Sequence, residues 1–281
     1  MSDGLFRYSL KTFWRELAMI AAAVVWWVPF YFLAIISVKP TDELFTNPNG
    51  LPHSADFHNY VDAWHGVGGH SLGAAMKSSL IITIGSVILL ILIGSLAAYT
   101  IARREGRLGA GLYLQFVIGI IIPFQLGVIP AYISLRALGL VGTYIGTILL
   151  YTGLMMPLSV FLYTGFVRRL PLDYEEAAYV DGASRVRTFV RVVFPLLRPV
   201  TATVAVLTAV IIWNDFFTQL LFLSGSRRQT LPVAVYAFVG QYATQWNLVF
   251  ASVVVAILPV LAFYIVAQRQ LIRGFSGGIK T

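Results

Sequence analysis

The chain has 281 residues, 58% hydrophobic and only 11% charged, with a mean hydropathy of +0.79 and a formal charge of +8. That balance excludes a soluble globular domain of this size. The absence of cysteine excludes disulfides, thiolate metal sites and cysteine nucleophiles. The apolar runs are too continuous for the alternating strands of a barrel. They read as an all-α integral membrane protein, since helices satisfy their own backbone in lipid.

In chain order, residues 1–16 carry Arg7, Lys11 and Arg15 among Leu5, Phe6, Leu10, Phe13 and Trp14, an amphipathic segment suited to a membrane surface. Leu17 to Val38 then reads as a first span, long enough for about 30 Å of hydrocarbon and too long for a signal-peptide core. Residues 39–77 form a polar outer loop holding all four histidines, His53, His58, His65 and His70. Their spacing matches no standard zinc pattern, so they read as loop histidines and no metal is assigned. Ser79 to Ala102, Gly111 to Ile133 and Thr143 to Phe166 are spans two to four. Thr201 to Leu223 and Val249 to Ala267 are spans five and six. Prolines fall inside four of the six, which predicts kinked or broken helices.

Six spans place both termini on one side. On that count fifteen of the twenty Lys and Arg residues face the side of the termini. Only Lys39, Lys77, Arg136, Arg227 and Arg228 face the other. The bias makes both termini cytoplasmic and accounts for the positive charge without nucleic acid.

Between spans four and five lies the segment that departs most from the rest. Residues 168–199 concentrate acids and arginines in a chain otherwise poor in both. Asp173 and Glu176 fit a capping box. Gly182 fits a helix end and Ser184 a second helix start. Val186, Phe189, Val190 and Val193 recur at helical spacing. Arg187 and Arg191 lie on another face, and Pro195 and Pro199 are expected to stop the helix. Ala177, Ala178 and Ala183 leave the corner with little side-chain bulk. A plain solvated loop is the competing reading of the composition.

Glu176-Ala177-Ala178, Asp181-Gly182-Ala183 and Val192, Phe194, Pro195 in register resemble the EAA loop of ABC importer permease subunits. The resemblance extends over most of the chain. It includes Leu96-Ala97-Ala98-Tyr99 ending at Arg103, Ile122-Pro123-Phe124-Gln125 with Pro130, and Pro157-Leu158-Ser159-Val160-Phe161. Phe194 to Pro199 and Trp213-Asn214-Asp215-Phe216 complete it. Together these are similar to the carbohydrate branch, and within it to the six-helix maltose MalG-type permease. The resemblance implies a permease subunit in the cytoplasmic (inner) membrane that moves a sugar or oligosaccharide by alternating access. It also implies three partners: a second, different permease subunit, a dimer of ATPase subunits and an extracytoplasmic solute-binding protein. Glu176, Ala177, Ala178, Asp181 and Gly182 are then the ATPase-coupling residues. Residues 224–247 form the outer loop that reaches the binding protein, with Arg227, Arg228, Gln241, Tyr242 and Trp246 as contacts. The tail, residues 274–281, is implied to touch the ATPase, although it ends in Thr281 where the family often has Gly.

Chemistry of the chain's own is sparse. No GxxxxGK[ST] loop is present, so ATP and magnesium are expected at the partner and no cofactor on this chain. GxSxG and HExxH are also absent. Asp215 is the one acid inside an expected span. It either lines a cavity or makes a structural hydrogen bond. With Trp213 and Asn214 it offers hydroxyl acceptors and an apolar ring, as a sugar site does. Gln125 is a weaker candidate of the same kind. A glycerol-phosphate ester is the alternative cargo, with Arg227 and Arg228 to meet a phosphate. An ion-coupled carrier would need ionisable groups in several spans. A membrane enzyme would need a patterned constellation, which the histidines lack.

Overall fold

The structure, a computed structural model, describes residues 10–66, 71–241 and 245–276. Side chains at 237, 240, 241, 263 and 266–276 lie outside the description. The described chain is helical, with no strand among the described residues. It forms two compact units, Met1–Ser71 with Val235–Ile257, and Leu72–Ala234 with Leu258–Thr281.

The first unit begins with α1 (Leu10–Ser37), a single helix of 28 residues. Residues 10–16 therefore continue into the first span instead of forming a separate surface piece; residues 1–9 lie outside the described residues. Short helices α2 (Glu43–Thr46) and α3 (His58–His65) follow in the loop after it. A polar network fixes that loop. Lys39 is buried and its ammonium donates to the Asn47 and Pro48 carbonyls. Buried Asn59 donates to the Ser37 and Lys39 carbonyls at 3.1 and 3.0 Å. Asn247, on the last helix, donates to Asn59 Oδ1 at 2.9 Å.

Glu43 receives the His53 backbone N–H at 3.0 Å and lies 2.7 Å from the His53 ring. Desolvation pushes the Glu43 carboxyl up. The His53 backbone and ring and the Asn47 amide outweigh it and hold the carboxyl below its ordinary 4.5. A depressed carboxylate contributes stability above its unfolded pKa and loses it as pH falls through the folded value. Protection of the His53 amide against hydrogen exchange, relative to an unstructured amide at the same pH, is therefore expected to fall only below about pH 4.5. Glu43→Gln should remove that pH dependence.

The second unit is the helix bundle. It comprises α4 (Leu72–Ala102), α5 (Arg107–Ile121), α6 (Val128–Ala137), α7 (Tyr144–Val167), α8 (Asp173–Val180), α9 (Arg185–Thr188), α10 (Phe194–Leu196), α11 (Arg198–Asn214) and α12 (Phe217–Phe222). Helices α13 (Leu231–Gln241) and α14 (Trp246–Ser276) cross from one unit to the other. By length and apolarity, α1, α4 and α7 each suffice to cross a membrane.

Two helix pairs are long and apolar enough only when taken together, and each is sharply bent. Arg107–Ile121 meets Phe124–Ala137 at 98°, and Arg185–Leu196 meets Arg198–Asn214 at 74°. The hydropathy run at 111–133 thus contains a sharp corner, not a mild kink. Pro123 causes it, because Ile122 before it is driven extended (φ −71°, ψ 120°). The described side chains of α14, Trp246–Ala262, make the remaining apolar helix.

α4 and α7 form the most extensive helix pair in the bundle. Gly94 lets them approach, since a Cβ there would fall on Ser159 Oγ. Around that contact Ala98, Ile101, Val160, Tyr163 and Val167 are buried together with Phe189, Val193 and Leu197 of the 168–199 segment. The segment is therefore seated on the bundle by its own apolar side chains.

Candidate functional site

Within 168–199, α8 starts one residue earlier than a capping box requires. Leu172 already has helical angles (φ −69°, ψ −23°), and no side chain caps the helix. Asp173 is thus the first helical residue and the capping box does not form. Asp173, Glu175 and Glu176 instead place three carboxylates in the first turn, where the helix dipole favours them.

The helix ends as expected at Gly182, whose φ is +77°. The Gly182 and Ala183 N–H groups close the end on the Tyr179 and Ala178 carbonyls at 3.0 and 2.9 Å. Ser184 then starts α9, its Oγ accepting the Arg187 N–H at 3.4 Å.

Two expectations for the second helix need correction. Phe189 and Val193 are buried, but Val186 and Val190 are 74% and 55% exposed. A wide π turn over Phe189–Val193 shifts the register, so the inward face carries Thr188, Phe189 and Val193. Pro195 does not stop the helix either. The wide turn just upstream, where the Phe194 N–H reaches the Phe189 carbonyl, accommodates the missing donor. The break comes at Leu197, with Pro199 in the first turn of α11.

Glu176, Ala177, Asp181 and Gly182 are exposed and Ala178 is half-buried, so the five expected coupling residues share one accessible corner. Val180 beside them is 88% exposed, and Val186 and Tyr179 are also exposed.

The neighbouring acid was missed. Glu175 is only 5% exposed. Its Oε1 accepts Arg103 Nε–H at 2.8 Å and lies 2.7 Å from Arg103 Nη2. Its Oε2 accepts the Tyr99 hydroxyl at 2.7 Å. The one available hint was Tyr99 and Arg103 standing one turn apart at the end of span two.

Asp215 is placed by a second break. α11 ends at Asn214 because Asp215 is extended (φ −70°, ψ 121°). Its Oδ1 accepts the Thr218 N–H at 3.1 Å and so caps α12, and its Oδ2 accepts the buried Tyr151 hydroxyl at 2.9 Å. Both carboxylate oxygens are therefore engaged inside the bundle.

Trp213 and Asn214 do line a cavity of about 390 Å³ with Thr83, Ile84, Val87 and Ala209. Asp215 and Gln125 are not among its walls. Gln125 sits exposed in the single turn Phe124–Gly127 between α5 and α6.

Of the candidates expected to meet a binding protein, Arg227 is exposed. Arg228 donates to the Gly142 carbonyl at 2.8 Å and stacks 5.3 Å from the Tyr144 ring. Trp246 is exposed beside Phe250. The Gln241 side chain, Tyr242 and the tail beyond 276 lie outside the described residues.

Residues 90–276, which include the Glu175 cluster, the 168–199 segment and Asp215, match the binding-protein-dependent transport system inner membrane component. The chain belongs to that family. As an inner membrane component it has full-length relatives. The melibiose/raffinose/stachyose import permease protein MelC of Bacillus subtilis is 38% identical, over 94% of this chain and 95% of its own. The probable starch degradation products transport system permease protein AmyC of Thermoanaerobacterium thermosulfurigenes is 36% identical, over 92% and 93%. The inner membrane component also shares its fold with a chain of a bacterial ABC transporter involved in the import of the acidic polysaccharide alginate. There the TM-score is 0.72 at 21% identity, covering 93% of this chain and 98% of that one.

Proposed function

We propose that this chain is a permease subunit of an ABC importer for a sugar or oligosaccharide, driven by a separate ATPase that docks at residues 168–199. The observation that carries the reading is near full-length similarity to sugar import permeases, joined to an exposed corner at Glu176 to Gly182 on an otherwise seated segment. The chain does no chemistry itself. It offers a path, and ATP and magnesium act on the partner. An extracytoplasmic binding protein delivers the sugar, and a second permease subunit completes the path. Closure of the ATPase dimer moves the docked corner. The bundle rocks outward to accept sugar, and hydrolysis resets it.

In this reading residues 17–281 are the permease domain, both termini and Arg185 are cytoplasmic, and loops 39–77 and 224–247 are outside. Trp213 and Asn214 face the path, while Asp215 braces its wall. Arg227, Arg228, Gln241, Tyr242 and Trp246 face the binding protein.

Proteoliposomes holding the whole importer should take up labelled raffinose or maltotriose only with ATP inside and binding protein outside. Uptake indifferent to the ATPase would overturn the proposal. Sidedness is checked with single cysteines in this cysteine-free chain. His58→Cys and Arg228→Cys should react with an impermeant maleimide on intact cells, and Arg185→Cys should not.

A further inference from the structure

Helix α8 has eight residues, and Glu175 is the only one buried. It therefore has no apolar face holding it to the bundle. Its side-chain hold on a membrane-crossing helix runs through Glu175 to Tyr99 and Arg103 of α4, with Tyr179 also hydrogen-bonded to Tyr99. Arg103 Nη2 reaches the Leu170 carbonyl as well, at 3.1 Å, which ties down the connection from α7 into α8.

The same α4 carries Leu80, Thr83, Ile84, Val87 and Ile88 in the wall of the cavity. It runs from Leu72 to Ala102 as one helix with no proline inside. Gly85-Ser86 and Gly94-Ser95 fall inside it, yet the helix is unbroken across both, so displacement at one end is carried along its axis towards the other. A buried carboxylate sharing two donors from one guanidinium and one from a phenol is directional and short, unlike an apolar contact that slides.

We propose that Glu175, Arg103 and Tyr99 form a mechanical joint through which displacement of α8 is delivered to α4, and so to the cavity wall. They are positioning residues. The joint rests on the importer reading above and adds a route to it. α8 is covalently continuous with α7 and α9, and the joint adds α4 as a third arm. Without it, movement of the docked corner would reach α4 only through apolar packing, by way of α7 and of Phe189 and Val193 against Ala98 and Ile101.

The test uses the whole reconstituted importer and measures sugar imported per ATP hydrolysed, together with co-purification of the ATPase. Glu175→Gln keeps the shape and removes the charge. It is expected to retain the ATPase and its hydrolysis while uptake per ATP falls roughly tenfold, the size of a typical coupling between two sites. Arg103→Glu/Glu175→Arg restores a pair of opposite hand and should recover part of that ratio. Tyr99→Phe, which keeps the ring and loses one hydrogen bond, should cost less.

A Glu175→Gln ratio equal to that of the unsubstituted chain overturns the joint. So does loss of ATPase attachment in step with uptake, since that is what a plain staple for the loop would give. If the unsubstituted chain itself retains no ATPase, the importer reading falls and the joint with it.

Discussion

Gly182→Val is expected to leave the chain inserted and its bundle packed, yet to release the ATPase and abolish sugar uptake. Gly182 holds φ at +77°, and a Cβ built there meets no atom of the chain within 4 Å. The internal penalty is therefore backbone strain alone, about 1 kcal/mol or somewhat more for a β-branched residue. That is too little to unfold a bundle seated on buried residues from α4, α7 and α11. It is enough to turn the corner between α8 and α9, and a branched side chain would also stand on the exposed face at Glu176 to Gly182. Gly182→Ala should act in the same direction and more weakly. Co-purification of the ATPase, read beside uptake in cells, checks both. Normal attachment and transport by Gly182→Val would reduce the segment to a connector.

Asp215→Ala should act inside the bundle, with a loss of stability instead of a loss of attachment. It removes the cap of α12 and the carboxylate acceptor of Tyr151 together. A cap is worth about 1 kcal/mol, and a buried hydroxyl losing its acceptor costs a similar amount or more, so the sum is roughly 2–4 kcal/mol. The expected result is a lower unfolding temperature in detergent and a lower yield. Asp215→Asn keeps an oxygen for the Thr218 N–H and should lose less. Tyr151→Phe removes the other bond and should fall between them. Equal thermal stability of Asp215→Ala and the unsubstituted chain would show that the carboxylate does not brace α12.

These two sites mark what the sequence makes legible. Gly182 and Ser184 were readable because each signal is local: a positive φ suits glycine, and a hydroxyl caps the N–H three residues on. The long apolar helices were readable from hydropathy, since lipid demands them. The corner between α5 and α6 was marked by Pro123, although the apolar run continues across it and conceals a 98° change of direction. The register of the segment after Ser184 was misread because one wide turn at Phe189–Val193 moves Val186 and Val190 outward. No periodic pattern announces such a turn. Glu175 is not marked out from Glu176 in the sequence, because its partner Arg103 is 72 residues away. A pairing across that distance depends on how α4 and α7 pack. Asp215 stands out in the sequence as the one acid in an apolar run, but its two bonds depend on the break at its own backbone and on Tyr151 from another helix.

The central claim, that residues 168–199 meet an ATPase on the cytoplasmic side, is tested most directly at Val180. This side chain is 88% exposed at the end of α8, and the chain has no cysteine of its own. Val180→Cys, carrying a short bifunctional crosslinker in membranes of the assembled importer, should form one adduct containing the ATPase subunit. Its yield should change when ATP closes the ATPase dimer, and the same cysteine should resist an impermeant maleimide applied to intact cells. Labelling of Val180→Cys from outside, or no ATPase adduct in a transport-competent importer, would contradict the account.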